Sequence, residues 1–167
     1  MIDIAVDDGR PQRYVLTARS EIVPAVLAVV ARARLGLRCA HHDLSVFALS
    51  QSAVTTSLRH FLYANAQARV YLLMDETHWF DAQAARLKLL QRQFSHALLA
   101  RRAHSDDSVG DQAVLLADAK HALLLGHPHS VGELWLNHEP HAQSLLAAFI
   151  RRWEAAAHNL PVTPLGL

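Results

Sequence analysis

The chain has 167 residues, of which 51% are hydrophobic and 19% charged, a balance typical of one folded globular domain rather than a disordered or fibrous chain. Its formal net charge of +1 argues against binding to nucleic acid through a bulk basic field, although local basic patches remain compatible with it. The single cysteine, Cys39, excludes an internal disulfide framework and fits a reducing compartment.

The first 16 residues have the character of an acidic arm, with one short strand predicted at residues 13–16. A helix is predicted from Ser20 as N-cap to about Leu35, because Glu21 suits the first turn, Pro24 has no donor to lose there and Gly36 can end it. The longest apolar run, residues 22–31, is shorter than the roughly 18 residues that span a bilayer. No charged leader followed by an apolar run is recognisable, so we expect a cytoplasmic protein that does not cross a membrane.

The middle of the chain alternates between short β-rich runs and segments with helical spacing of apolar residues. We predict, in order, a strand at residues 44–49, a helix capped by Ser50 or Ser52 that runs to about residue 66, a strand at residues 69–75, a helix from Thr77 or Asp81 to about Phe94, and a strand at residues 97–102. The run at residues 69–75 is almost continuously apolar, which is typical of a strand that is buried on both faces.

A β-hairpin is predicted next, because apolar runs at residues 113–117 and 122–125 flank a polar turn. Residues 134–136 are predicted to form a last edge strand, Pro140 fits the start of a terminal helix, and residues 159–167 form a tail. Strands that alternate with helices imply crossover connections. We therefore predict a single α/β domain over residues 1–167, with a mixed, mostly parallel sheet flanked by helices on both faces.

The late hairpin and the final helix, which carries Phe149 and Trp153, resemble one half of the phospholipase D superfamily over roughly residues 44–156. Active members of that family carry a His, one residue, a Lys, four residues and an Asp on the hairpin, then a Gly-Ser and a later Glu. Three residues of this chain match the pattern: Asp118, Gly126 and Glu133.

Two decisive positions of the motif differ. Asp111 stands where the nucleophilic His is expected, Ala113 stands where the phosphate-binding Lys is expected, and His127 replaces the Ser. In the family's chemistry an imidazole attacks phosphorus while a cation compensates the charge of the phosphoryl oxygens. Asp111 would repel phosphate, and Ala113 has no group that binds it.

The resemblance therefore implies a non-catalytic domain with a degenerate motif, similar to small bacterial domains of this fold whose motif is likewise eroded. Such a domain would act as a binding, regulatory or scaffolding module, without a cofactor. Single-motif members of the family pair two halves, so the resemblance also implies a homodimer, and a different protein partner stays open.

A hydrolase or phosphodiesterase with a rewired site is the alternative. Its candidate residues are Asp118, His121, His127, His129 and Glu133, and the chain has 12 histidines in all. His127 and His129, together with one of the acidic residues, supply the ligand types of a zinc site, although the spacing is not characteristic of one. Histidines exposed to solvent are the simpler explanation, and we favour it.

Polar residues that follow two of the predicted strands are candidates for ligand binding. Asp75 and Glu76 follow one strand and Ser50 follows another, so the two loops are expected at the same edge of the sheet, where open α/β sheets bind ligands. A third class of function, nucleic-acid binding, would use the basic residues Arg86, Lys88, Arg92, Arg101 and Arg102. A solvated basic face is the simpler interpretation, because no aromatic residues are interleaved with them.

Overall fold

The structure is a computed structural model that describes residues 2–126, 129–156 and 158–162. Within these residues the chain forms seven strands: β1 (Gln12–Leu16), β2 (Gly36–His41), β3 (Arg69–Met74), β4 (Leu98–Arg102), β5 (Ala113–Ala117), β6 (His121–Leu125) and β7 (Gly132–Leu136). The α-helices of the same residues are α1 (Ile22–Arg32), α2 (Ser52–Ala64), α3 (His78–Gln83), α4 (Ala85–Gln93) and α5 (Glu139–Ala155). None of these helices combines the length and the apolar character that crossing a bilayer requires.

All seven strands form one sheet in the order β1-β7-β6-β5-β2-β3-β4. The pairs β2–β3 and β3–β4 are parallel. The pairs β2–β5, β5–β6, β6–β7 and β7–β1 are antiparallel. The predicted mixed sheet with flanking helices is confirmed, but antiparallel pairs outnumber parallel ones because the hairpin, β7 and β1 together contribute four of the seven strands.

Helices lie on both faces of the sheet in unequal number. The larger core lies between the sheet and α1 to α4, with buried side chains that include Val26, Leu58, Leu72 and Leu87. A smaller core lies under α5, where Phe149 packs on Leu73 and Leu116. Because a buried side chain of this size contributes about 1.5–3 kcal/mol, the larger core supplies most of the stability.

The prediction of a strand at residues 44–49 is wrong. The preceding strand is β2, and residues 45–47 form a 3-10 turn between Leu44 and Ala48, which have φ of 69° and 53°. The turn forms because Nδ1 of His41 accepts a hydrogen bond from the Leu44 N–H at 3.1 Å, while Asp43 accepts one from the Ser45 N–H at 2.9 Å. Leu44 and Phe47 are fully buried, so the apolar run indicated burial correctly but not conformation.

Smaller differences concern helix ends and the edge of the sheet. The predicted helix at residues 77–94 is two helices, because Ala84 leaves the helical conformation, and no glycine or proline marks that position. The Ser20 side chain does not cap the helix that was predicted to begin there. Instead, the Glu21 carboxylate accepts hydrogen bonds from the N–H groups of Thr17 and Ala18, at 2.8 and 3.1 Å. β7 is not an edge strand, because β1 pairs with its outer side.

Three other predictions differ in detail: α1 ends at Arg32 and Gly36 begins β2, α2 has Gln51 as its N-cap with no side-chain cap from Ser50 or Ser52, and residues 163–167 of the predicted tail lie outside the described residues. The following elements are confirmed. The strand at residues 69–75 is β3, the strand at 97–102 is β4, the hairpin is β5–β6, and the terminal helix is α5 with Pro140 in its first turn. Cys39 lies inside β2 and is only 1% exposed, and burial raises the pKa of its thiol, so a structural role suits it.

Candidate functional site

Two edges of the sheet carry the candidate residues. The carboxyl edge is where β2, β3 and β4 end, and antiparallel pairing brings the start of β5, the end of β6 and the start of β7 to the same edge. The opposite edge is where β2 and β3 begin and where the turn between β5 and β6 lies. The two edges are separated by the length of a strand, five or six residues, which is about 17–20 Å.

Asp118 lies at the opposite edge and has a structural role there. Its carboxylate accepts hydrogen bonds from the backbone N–H groups of Arg34, Leu35 and Gly36, each at 2.9 Å. Asp118 has φ of 53°, a conformation that aspartate tolerates better than most residues. The residue therefore joins the turn of the hairpin to the start of β2, and its oxygens are already engaged.

His121 is buried beside the same turn. It is 3% exposed, and its Nδ1 accepts a hydrogen bond from the Asn137 N–H at 3.0 Å, which places the proton of the neutral ring on Nε2. Burial lowers the pKa of His121, and the Arg32 cation lowers it further. His121 is thus a neutral acceptor in the core, on the side of the sheet that faces α1.

Glu133 lies near the other end of the hairpin and on the other face of the sheet. It pairs with Leu124 in register, and its carboxylate accepts from Arg13 Nη2 at 2.7 Å and from Trp135 Nε1 at 3.1 Å. Leu124 and His121 are three positions apart on β6, a distance of about 10 Å along the strand. The structure therefore does not bring Glu133 together with Asp118 and His121.

The histidine pair of the sequence analysis is only partly described. His127 lies outside the described residues, while His129 follows the end of β6 at the carboxyl edge. Among the described residues, no group of three or more His, Cys, Asp or Glu side chains is arranged to hold a metal ion. The described donors of the rewired site are thus distributed over two edges and two faces.

Asp111 and Ala113 lie at the open end of the hairpin. Asp111 is exposed at the carboxyl edge, just before β5. Its carbonyl oxygen would lie 3.0 Å from a Cβ atom at position 126, where Gly126 has φ of 85°, so glycine lets the two chain segments approach. Ala113 is 2% exposed and pairs with Leu125, which leaves its methyl group in the core.

Three clefts lie along the carboxyl edge. One of about 830 Å³ lies between the start of α1 and the end of β6, lined among others by Arg19, Ile22, Val46, Gln51 and Ser130. Ser50 lines a second cleft of about 600 Å³ together with Trp79 and Arg86. Asp75 and Glu76 line a third, of about 640 Å³, with Arg102 and His104. Ser50 and the Asp75–Glu76 pair thus share an edge of the sheet, as predicted, but not a cleft.

Asp75 also holds a loop in place. Its carboxylate accepts hydrogen bonds from the Val109 N–H and the Ser108 hydroxyl, both at 2.9 Å, and from the Gly110 N–H at 3.3 Å. Burial alone would raise the pKa of Asp75, but these hydrogen bonds outweigh it and hold the pKa below the ordinary value. The carboxylate is therefore ionised near neutral pH and fixes the segment that leads into β5.

A cationic and aromatic cluster on the α5 face escaped the sequence analysis. The guanidinium of Arg38 lies 4.9 Å from the centroid of the Tyr71 ring, and Tyr71 meets Trp153 edge-on at 5.2 Å. The pair forms because residues 38 and 71 are neighbours in the parallel register of β2 and β3. β2 itself was not predicted, so the only available signal was an arginine within a short apolar run.

The arrangement of strands and helices is a phospholipase D-like fold. A phospholipase D family member, Nuc from Salmonella typhimurium, matches with a TM-score of 0.65 at 13% identity, over 90% of this chain and 99% of Nuc. NucT from Helicobacter pylori matches with a TM-score of 0.56 at 10% identity, over 89% and 98% of the two chains.

TrmBL2, an archaeal chromatin protein with a novel mode of DNA binding, matches with a TM-score of 0.62 at 11% identity. The match covers 86% of this chain but 52% of TrmBL2, so this chain corresponds to about half of that protein. Identities this low show a common fold. Among curated proteins there is no match. Residues 18–162 match the family model of a domain of unknown function, DUF7931, and the chain belongs to that family.

Proposed function

We propose that this chain is a non-catalytic phospholipase D-like domain that works as a binding, regulatory or scaffolding module. The observation that carries the proposal is the open end of the hairpin, where Asp111 is exposed and Ala113 is buried. These positions correspond to the nucleophile and to the phosphate-binding cation of active members. A carboxylate repels a phosphodiester, and a methyl group gives no compensation for charge on phosphoryl oxygens.

Two further contacts support this alignment of the degenerate motif. Asp118 keeps the motif's aspartate and uses it to accept three backbone hydrogen bonds. Gly126 keeps the motif's glycine and lies against the Asp111 backbone. Both retained residues maintain the shape of the hairpin, whereas both altered residues occupy positions that would carry chemistry.

A rewired hydrolase is the competing function, and an assay separates it from the proposal. We expect the purified protein to hydrolyse bis(p-nitrophenyl) phosphate and a labelled oligonucleotide no faster than the matched variant Glu133→Gln. Of the two acidic residues of the rewired site, Asp118 and Glu133, Glu133 lies nearer the carboxyl edge, and glutamine preserves its size. Turnover by the wild type that disappears in the variant would overturn the proposal.

We also propose that two copies pair through the carboxyl edge. The cleft of about 830 Å³ supports this, because it lies at that edge and combines apolar side chains with a few polar ones. Light scattering should give a mass near twice 18.5 kDa. Val46→Asp should shift the mass toward the monomer, since Val46 lines the cleft and is 36% exposed. A monomer at high concentration would contradict the dimer and leave the non-catalytic assignment untouched.

A further inference from the structure

The face of the sheet that packs on α5 is covered over only part of its width. Seven strands at about 4.8 Å spacing make a sheet about 30 Å wide, while one helix covers about 10 Å. In the described part of the chain, α5 is the α-helix on this face. The first residues of β2 and β3, at the opposite edge, consequently carry partly exposed side chains on this face.

Those side chains form a basic and aromatic cluster. Arg69 and Tyr71 point to the same face of β3, and Arg38 of β2 lies over the Tyr71 ring at 4.9 Å. The Arg69 guanidinium is oriented by hydrogen bonds to the carbonyl oxygens of Ala66 and Ala68, at 2.9 and 2.8 Å. Both arginines are therefore held in place before any ligand arrives.

A small cleft of about 410 Å³ opens between these residues. It is lined by Leu35, Gly36, Arg38, Gln67, Arg69, Tyr71 and Asp118. The Asp118 carboxylate, which lines this cleft, already accepts hydrogen bonds from three backbone N–H groups. No ion pair within the described residues involves Arg38 or Arg69. Leu35 is 57% exposed at the rim.

We propose that this cluster is a binding site for single-stranded nucleic acid. Arg38 and Arg69 would contact consecutive backbone phosphates, and an unpaired base would be received where the Arg38 guanidinium lies over the Tyr71 ring, with Leu35 beside it. Planar guanidinium groups and aromatic rings are the groups that bind unstacked bases, and cations supply the salt-dependent attraction. A duplex keeps its base faces stacked, so it cannot use such a platform.

The site is independent of the proposed function, because it lies at the opposite edge of the sheet from Asp111 and Gly126. Of the basic residues singled out in the sequence analysis, Arg86 and Arg92 belong to α4 on the other face, whereas Arg101 lies on the α5 face with its guanidinium 4.4 Å from the Trp153 ring. Arg86 and Arg92 are exposed and lie away from the cluster. They consequently provide a matched control that removes the same charge elsewhere.

The test is fluorescence anisotropy of the full chain with labelled twelve-nucleotide oligo(dT) and oligo(rU) at low salt. The variant R38Q/R69Q should weaken binding at least about tenfold, whereas the control R86Q/R92Q should stay within about twofold. Y71L should weaken binding by about fivefold or more, because it removes the stacking surface and no charge. The two oligonucleotides show whether the site distinguishes DNA from RNA, and unlabelled duplex should compete poorly.

Two measurements keep the result independent of misfolding. Thermal unfolding of each variant shows whether it is folded, and R38K, which keeps the charge but loses the planar stack, should bind with intermediate strength. Ultraviolet crosslinking of oligo(dT) to the wild type should attach at Tyr71. Three results would overturn the proposal: no binding by the wild type, equal losses in R38Q/R69Q and R86Q/R92Q, or crosslinks confined to the carboxyl edge.

Discussion

The two ends of the β5–β6 hairpin each carry an aspartate, and the two side chains have opposite surroundings. Asp118, at the turn, accepts three backbone N–H groups from the start of β2. Asp111, at the open end, is exposed and contributes mainly its backbone to the contact with Gly126. One end of the hairpin is thus held by the Asp118 carboxylate, whereas the side chain at the other end is exposed to solvent.

This difference predicts that the two aspartates tolerate substitution unequally. A change at Asp118 leaves three backbone donors without their acceptor, so it should lower the stability of the fold. A change at Asp111 affects an exposed side chain, so it should leave the sheet undisturbed.

The largest expected effect comes from removing the Asp118 carboxylate. Asp118→Gly keeps the positive φ without strain but removes the acceptor, and we expect a loss of about 3 kcal/mol in the free energy of unfolding. Asp118→Asn keeps one acceptor oxygen and should lose about half as much. Urea unfolding followed by circular dichroism measures both.

The matched change at the other end is Asp111→Ala, which we expect to alter the free energy of unfolding by no more than about 0.5 kcal/mol. Equal losses at Asp111 and Asp118 would show that the two ends of the hairpin do not differ as described.

A smaller effect is expected at Asp75, which shows that part of the carboxyl edge is also structural. Asp75→Ala should cost about 2 kcal/mol, because it removes the acceptor for Val109, Ser108 and Gly110. Hydrogen exchange at the Val109 and Gly110 amides should become faster, while exchange in β6 stays unchanged. Unaltered exchange at both amides would mean that Asp75 does not hold the loop.

The pH dependence of this contribution has a definite sign. The folded-state pKa of Asp75 lies below the ordinary value of 3.8. Its contribution to stability is therefore fully present above pH 3.8 and is lost as the pH falls through the folded-state pKa. Asp75→Asn, which does not titrate, should lose less stability than the wild type on acidification.

Sequence patterns predicted the strands and helices whose formation depends on residues close together in the chain. Continuous apolar runs indicated β3 and the hairpin, and apolar spacing with Pro140 indicated α5. β2 was missed because Gly36, Arg38 and His41 interrupt its apolar pattern, whereas parallel pairing with β3 stabilises it. Register with a partner 33 residues away is not visible in a local window.

The candidate site was less predictable, because side-chain roles depend on contacts between distant segments. Asp118 was singled out by motif spacing, but its partners lie 82 to 84 residues earlier in the chain. The same limit applies to Glu133, whose partner Arg13 is 120 residues away. Motif spacing identified acidic residues that could take part in chemistry. Only the fold shows that the carboxylates of Asp118 and Glu133 already accept hydrogen bonds.

The smallest expected effect tests the buried histidine at the turn end. Neutral His121 accepts the Asn137 N–H, and its folded-state pKa lies below 6.5, mainly through burial and then through Arg32. Fewer protons bind the folded state than the unfolded one, so the wild type should lose stability as the pH falls below 6.5.

His121→Asn retains an acceptor near Nδ1 and does not titrate. The stability of the wild type relative to this variant should therefore decrease from pH 7 to pH 5, whereas His41 and His141 titrate in both proteins and cancel in the difference. A constant difference would mean that His121 remains free to protonate in the fold, and that the turn end depends on Asp118 alone.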